Sequence, residues 1–151
     1  MEKIIIGSDH GGFALKEKLK KFLEKSGYAL KDAGCFSGES CDYPVYAYEV
    51  ARGVSAGKFS RGILICKSGI GNSIVANKLS RVRAVLCYNL KAAKLSRLHN
   101  DANVLVLGAL FVREPLAKRI VKVWLETEFE GGRHLRRVKQ IIEIERKLRR
   151  G

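Results

Sequence analysis

The sequence is short of acid. Its 151 residues hold 15 Asp and Glu against 29 Lys and Arg, a formal net charge of +14. Such an excess suits nucleic acid, anionic small substrates or a thermophile's charged surface, and by itself it selects none of them. The nucleic-acid reading gains little elsewhere. There is no zinc finger, no RNP pattern and no GXXG in a KH setting, and aromatics do not interleave with the basic stretch at residues 133–150. No apolar run approaches the roughly 20 residues of a membrane-spanning helix. The chain opens directly on Ile4-Ile5-Ile6 with no signal-peptide pattern, so a cytoplasmic protein without membrane association is expected. Cys35, Cys41, Cys66 and Cys87 form no close CxxC pair, which argues against a disulfide framework or a zinc knuckle. Internal repeats and low-complexity segments are lacking, and the length fits one domain over residues 1–151.

What is present is alternation. Strands are expected at residues 3–7, 28–32, 62–66, 83–87 and 103–107, and helices at 13–25, from Pro44 to Gly57, after Ser73, at 90–97, at 113–128 and at 133–148. That order predicts an α/β fold, a mostly parallel sheet with helices on both faces and a ligand site at the carboxyl ends of the strands. The last helix follows Gly131-Gly132. It combines a basic surface with an apolar stripe of Val138, Ile141, Ile142, Ile144 and Leu148, which suits a helix crossing to a partner subunit.

The densest chemistry lies from Gly62 to Ser73. The run Ile63-Leu64-Ile65 reads as a buried strand, and a glycine-rich turn through Gly69 and Gly71 leads to a helix. Strand, glycine turn and helix make a cradle of main-chain amides for an anion. It is not a Walker A loop, because no Lys-Ser or Lys-Thr pair closes it, and no G-x-G-x-x-G supports a nicotinamide enzyme. Cys66 ends the strand. Beside amides it is either a thiol of lowered pKa or a small buried hydrophobe. Asp9-His10-Gly11-Gly12 follows the first strand, where glycines permit close ligand approach or Asp9 simply caps a helix. Asp42-Tyr43-Pro44 is a ligand-facing turn or an ordinary helix start, and His99-Asn100-Asp101 is a polar corner with a potential proton carrier or a capped turn. Asp9, His10 and His99 match no established zinc spacing, and no metal is expected. Arg133 and Arg137 share one helical face and form a phosphate clamp or a solvated basic patch.

Taken in order, Ser8 to Gly12, Asp42-Tyr43-Pro44, Cys66 to Ser73, Ala76-Asn77-Lys78, His99 to Asn103 and Arg133-His134 with Arg137 resemble the B-type ribose-5-phosphate isomerases, grouped with the galactose-6-phosphate isomerase subunits. The resemblance spans nearly the whole chain. It implies a Rossmann-like three-layer sandwich and a cofactor-free aldose–ketose isomerase of phosphorylated sugars. It also implies dimers or tetramers whose sites draw on two subunits. By the same resemblance Cys66 shuttles the proton between C1 and C2, while Ser68 and the amides of Gly69, Ile70 and Gly71 hold the enediolate oxygens. Asp9 and His99 open the sugar ring, Tyr43 touches the sugar, and Asn100 binds hydroxyls near the reacting end. His10, Arg133 and Arg137 bind phosphate, with Arg113 near the same pocket. Ribose 5-phosphate and ribulose 5-phosphate are the expected pair, with a six-carbon sugar phosphate of the allose or galactose 6-phosphate type as the alternative and a nucleic-acid-binding protein as the alternative of another class. Two positions depart from the pattern: Lys67 stands where a small residue is usual, and Asn72 where a hydrophobe is usual. Both lie in the sugar-holding turn, where Asn72 is expected among the substrate-binding residues, and both bear on which sugar phosphate is preferred.

Overall fold

The computed structural model describes residues 2–150. In chain order they form β1 (Lys3–Ser8), α1 (Phe13–Lys25), β2 (Ala29–Asp32), α2 (Tyr43–Ser55), β3 (Arg61–Cys66), α3 (Ile70–Ala76), β4 (Ala84–Leu86), α4 (Leu90–Asn100), β5 (Val104–Gly108), α5 (Glu114–Glu126) and α6 (Arg133–Arg150). The strands pair in the order β2-β1-β3-β5-β4, and every pairing is parallel.

The layering follows from the two-residue period of a strand. Ile4, Ile6, Ile63, Ile65, Leu105 and Leu107 point to one face, where they pack on Leu15, Leu19 and Leu23 of α1, Ala93 of α4 and Ile120 and Trp124 of α5. Their neighbours Ile5, Leu64, Val104 and Val106 point to the other, onto Ala47, Val50, Ala51 and Val54 of α2 and Ala76 of α3. A strand buried on both faces must be apolar at every position, which is why these strands read as unbroken aliphatic runs. The expected three layers are present. Among the described residues no helix is long and apolar enough to cross a membrane.

Several boundaries differ from expectation. The helix after Cys66 begins at Ile70, so Ile70, Gly71 and Asn72 are its first turn rather than loop. Tyr43 lies inside α2 and puts Pro44 in the first turn, where a missing N–H costs nothing. β4 is confined to Ala84–Leu86 and leaves Cys87 beyond it. The largest difference is α4, which runs on to Asn100 and ends at Asp101 in a left-handed conformation, φ 48°. His99 and Asn100 are therefore the last turn of a helix and not a corner.

Lys16 lies inside the fold. It is fully buried, and its Nζ donates to both Asp32 carboxylate oxygens at 2.7 and 2.9 Å and to the Cys35 carbonyl at 2.6 Å. Burial alone would raise the Asp32 carboxyl. Hydrogen bonds from Lys16, Lys20 and the Gly34 amide outweigh it and hold the carboxyl below its ordinary range.

In a parallel sheet each strand ends at the same edge, and each helix carries the chain back to the opposite one. Residues that follow β1, β3 and β5 therefore gather at the carboxyl edge, and residues that end α4 gather at the amino edge. The β3–β5 register pairs Gly62 with Val104 and Cys66 with Gly108, which puts about 13 Å of strand between the edges at roughly 3.3 Å per residue.

Candidate active site

At the carboxyl edge, Cys66 closes β3 and is 5% exposed. Gly69 turns the chain into α3 with φ 84°, a left-handed conformation that glycine adopts without a Cβ penalty, and its N–H donates to the Cys66 sulfur at 3.0 Å. The Ser68 hydroxyl oxygen accepts from the Ile70 N–H at 3.2 Å, and the Tyr88 hydroxyl donates to the Ser68 carbonyl at 3.0 Å. Asp9 is buried, and its Oδ1 accepts from the Gly12 N–H at 3.0 Å. His10 is exposed, with its Nδ1 3.1 Å from the Cys41 N–H and 3.2 Å from the Cys41 carbonyl, so Nε2 is left for a ligand. The Tyr43 ring lies on Gly71: a Cβ there would come within 2.7 Å of the phenolic oxygen. Arg113, exposed, precedes α5 at this same edge.

The turn thus brings a thiol, a carboxylate, a phenol, a hydroxyl and several amides together. A group that takes a proton beside donors that receive negative charge on oxygen is what enolisation of a carbonyl compound requires. One expectation is overturned. Cys66 is not a thiol of lowered pKa. Burial pushes it up, the Asp9 carboxylate adds to that, and the amides of Gly69, Asn72 and Ser68 only partly offset it. Lys67 is exposed to solvent, with its chain laid along Gly11.

The other half of the predicted set lies at the amino edge. His99 and Asn100 end α4, and Arg133 and Arg137 occupy the first turns of α6. The Glu130 N–H donates to the Leu98 carbonyl at 3.1 Å and ties the two segments together. The imidazole of His134 stacks on that of His99, and the Arg137 Nη1 donates to the Arg133 carbonyl at 3.3 Å. His99 is therefore not beside Asp9 in its own chain, and the Arg133–Arg137 pair is not beside His10. The combination of Asp9, His10 and His99 weighed for a metal is not assembled either. His99, Glu130 and His134 do present donor atoms within 4.8 Å of one another. With the two rings only 13° from parallel, however, their in-plane lone pairs run side by side instead of converging on one ion.

Sequence reasoning missed Cys41 as the main-chain partner of His10 and His134 as the partner of His99. Both are contacts between distant segments, and no local pattern announces them.

The geometry agrees with the comparisons. A model of the family described as Ribose/Galactose Isomerase matches residues 4–141. Ribose-5-phosphate isomerase B of Escherichia coli is 48% identical over 97% of this chain and 99% of its own. The structure of Clostridium thermocellum ribose-5-phosphate isomerase B superposes with a TM-score of 0.94 at 51% identity, covering 97% of this chain and 99% of that one. Ribose-5-phosphate isomerase B from Mycoplasma genitalium, solved with bound ribulose-5-phosphate, gives a TM-score of 0.92 at 39% identity over 95% of this chain and 96% of that one. With sequence, fold and the arrangement around Cys66 in agreement, the chain belongs to the ribose/galactose isomerase family.

Proposed function

We propose that this protein interconverts ribose 5-phosphate and ribulose 5-phosphate by proton transfer through an enediolate. The observation that carries the reading is the Cys66 sulfur, enclosed beside the Asp9 carboxylate and held 3.0 Å from the Gly69 amide. The likeness to the isomerases named above supports the substrate. In the aldose direction the Cys66 thiolate removes the C2 proton. The C–H electron pair becomes the C1–C2 double bond, and charge moves onto the carbonyl oxygen, toward the Ser68 hydroxyl and the amides from Gly69 to Gly71. The C2 hydroxyl then passes its proton to the C1 oxygen, so that the charge moves to the C2 oxygen, and return of the proton from Cys66 to C1 re-forms a carbonyl at C2 and gives the ketose. A sulfur whose pKa burial has raised is a stronger base once ionised, which suits the weak acidity of a proton next to a carbonyl.

The remaining roles need two chains. In this reading Asp9, His10, Tyr43 and Arg113 of one protomer face His99, Asn100, Arg133 and Arg137 of another in a homodimer. Asp9 and His99 open the ring, Tyr43 and Asn100 hold the sugar, and His10 with the two arginines binds phosphate. The separation of the two clusters across the sheet supports this pairing, because an Arg side chain does not span the strand length between them. Fixing the phosphate far from the carbonyl then uses remote binding energy to orient the reacting carbons.

The test is isomerisation of ribose 5-phosphate by purified protein in the presence of chelator, followed by appearance of the ketose. Four-, five- and six-carbon sugar phosphates are compared by kcat/KM. Absence of ketose, or a higher kcat/KM for a six-carbon sugar phosphate, would overturn the assignment.

A further inference from the structure

Asn72 is 1% exposed, and neither Nδ2 nor Oδ1 of its side chain has a hydrogen-bond partner. Among the described residues, Trp124 and His134 each leave one buried side-chain atom without a hydrogen bond, and Glu17 leaves one that Lys20 ion-pairs at 3.1 Å, whereas Asn72 leaves both of its polar atoms idle. A buried carboxamide with donor and acceptor both idle destabilises a fold, and the position faces the sheet together with Ala76, four residues on, where an aliphatic side chain would carry no such cost. Its place is telling. Asn72 belongs to the first turn of α3, the turn that delivers the Gly69 amide to Cys66, and its own main-chain N–H is directed to the same sulfur. Cys66 and Asp9 are themselves buried, at 5% and 7% exposure, and the Asp9 carboxylate acts on the same sulfur.

The unmet needs are one donor and one acceptor on a planar group. An enediolate offers the complement: two neighbouring oxygens on a planar carbon pair, one an anion and the other a hydroxyl. We infer that Asn72 is a further catalytic residue of this isomerase, its Nδ2 donating to the oxyanion of the enediolate and its Oδ1 accepting from the adjacent hydroxyl. The inference rests on the proposed isomerase activity and extends it. When Cys66 removes the C2 proton and the electron pair forms the C1–C2 bond, charge arrives on the C1 oxygen and the C2 oxygen keeps its proton. In the ketose direction the two oxygens exchange these parts. A carboxamide serves both directions, because it presents a donor and an acceptor side by side. The sugar itself offers no such planar pair before the proton leaves, so the interaction strengthens as the barrier is crossed.

Two substitutions test this. Asn72→Leu fills the volume without polar atoms, and Asn72→Asp keeps the shape but replaces the donor by a second acceptor. Steady-state kinetics on ribose 5-phosphate are combined with calorimetric binding of two inert ligands. One is a phosphorylated hydroxamate, planar like the enediolate, and the other is a polyol phosphate with no carbonyl. Both variants are expected to lose about 100-fold in kcat, the usual loss for one oxyanion donor, with KM nearly unchanged. Hydroxamate affinity should fall in step and polyol phosphate affinity should hold. The Leu variant should melt no lower than the parent. If the Leu variant keeps both kcat and hydroxamate affinity, Asn72 is only a buried amide and the inference is wrong. If it does not fold, the Asp variant decides, since its shape is that of Asn. If the unsubstituted protein neither turns over ribose 5-phosphate nor binds the hydroxamate, the isomerase reading itself fails, and this inference with it.

Discussion

The imidazole rings of His99 and His134 lie 4.0 Å apart, centroid to centroid, and 13° from parallel. Protonating both would set two positive charges face to face. Burial lowers the pKa of His134, His99 lowers it further, Arg133 and Arg137 act the same way, and Glu130 alone opposes them. An unfolded chain binds this proton near pH 6.5, and the folded chain resists it. Stability should therefore be unaffected by His134 above that pH and should fall as pH drops below it. Urea midpoints measured from pH 8 to pH 5 should show the decline, and His134→Asn should flatten it. An equal slope in the variant would place the titrating group elsewhere.

Cys66→Ala should lower kcat by at least about 10³-fold, within the range of a lost general base. Inorganic phosphate should still bind, because His10, Arg133 and Arg137 are untouched. Exchange of the C2 proton with solvent deuterium is the direct measurement, and exchange at the parent rate in the variant would remove Cys66 from the chemistry.

The raised pKa of Cys66 sets a pH dependence. The base must be ionised to act, so kcat/KM should climb with pH through a value above that of an ordinary cysteine. Alkylation should accelerate over the same range and be slowed by bound sugar phosphate. Cys87, pushed up to about 11 by burial, should remain unmodified at pH 8. An acid limb near pH 6 in the rate profile would contradict the assignment.

Lys16→Met should cost up to about 3 kcal/mol, toward the low end of breaking a buried pair, because the Asp32 carboxylate loses its buried partner and keeps only Lys20 and the Gly34 amide. Lys16→Met combined with Asp32→Asn should be less unstable than Lys16→Met alone, since no carboxylate is then left without Lys16 and Lys20 is exposed enough to be hydrated. Asp32 also makes the fold acid-sensitive. Its lowered pKa contributes stability above about pH 4, the ordinary carboxyl range, that disappears as pH falls below it. Denaturant midpoints of the three proteins across pH 2 to 6 check both statements.

A mixture of Cys66→Ala and Arg137→Ala chains, each inactive alone, should regain activity on exchange into mixed dimers. In the mixed dimer one of two sites has both halves intact, so recovery should approach half the parent rate per mixed dimer. No recovery in a verified mixed dimer would count against a site shared between chains.

The layered α/β fold was legible because its strands are aliphatic throughout and its turns are marked by residues such as Ser26-Gly27, which stops α1 where expected. The turn after Cys66 was read one helical turn too long. Glycines at 69 and 71 suggest loop, yet Gly71 is acceptable early in α3, where Tyr43 needs the space a Cβ would take. His99 and Asn100 were misplaced because polar residues in the final turn of a helix look like the loop that follows. The Cys66 pKa was misjudged for a different reason: neighbouring amides are visible in the sequence, but the burial that outweighs them is a property of the packed sheet. The idle carboxamide of Asn72 had one signal, a polar residue in place of an expected hydrophobe, and only its surroundings give that signal meaning.

Division of the proposed site between the two edges of one sheet has a consequence for dose. On that proposal a lone chain would hold the proton-transfer half at one end and the phosphate clamp at the other, with no turnover to contribute. Below the dimer dissociation constant the rate then varies with the square of chain concentration, and halving the supply removes about three quarters of the flux. Above that constant the dependence becomes linear. Dimer affinity would thus set the smallest amount of protein at which the reaction runs.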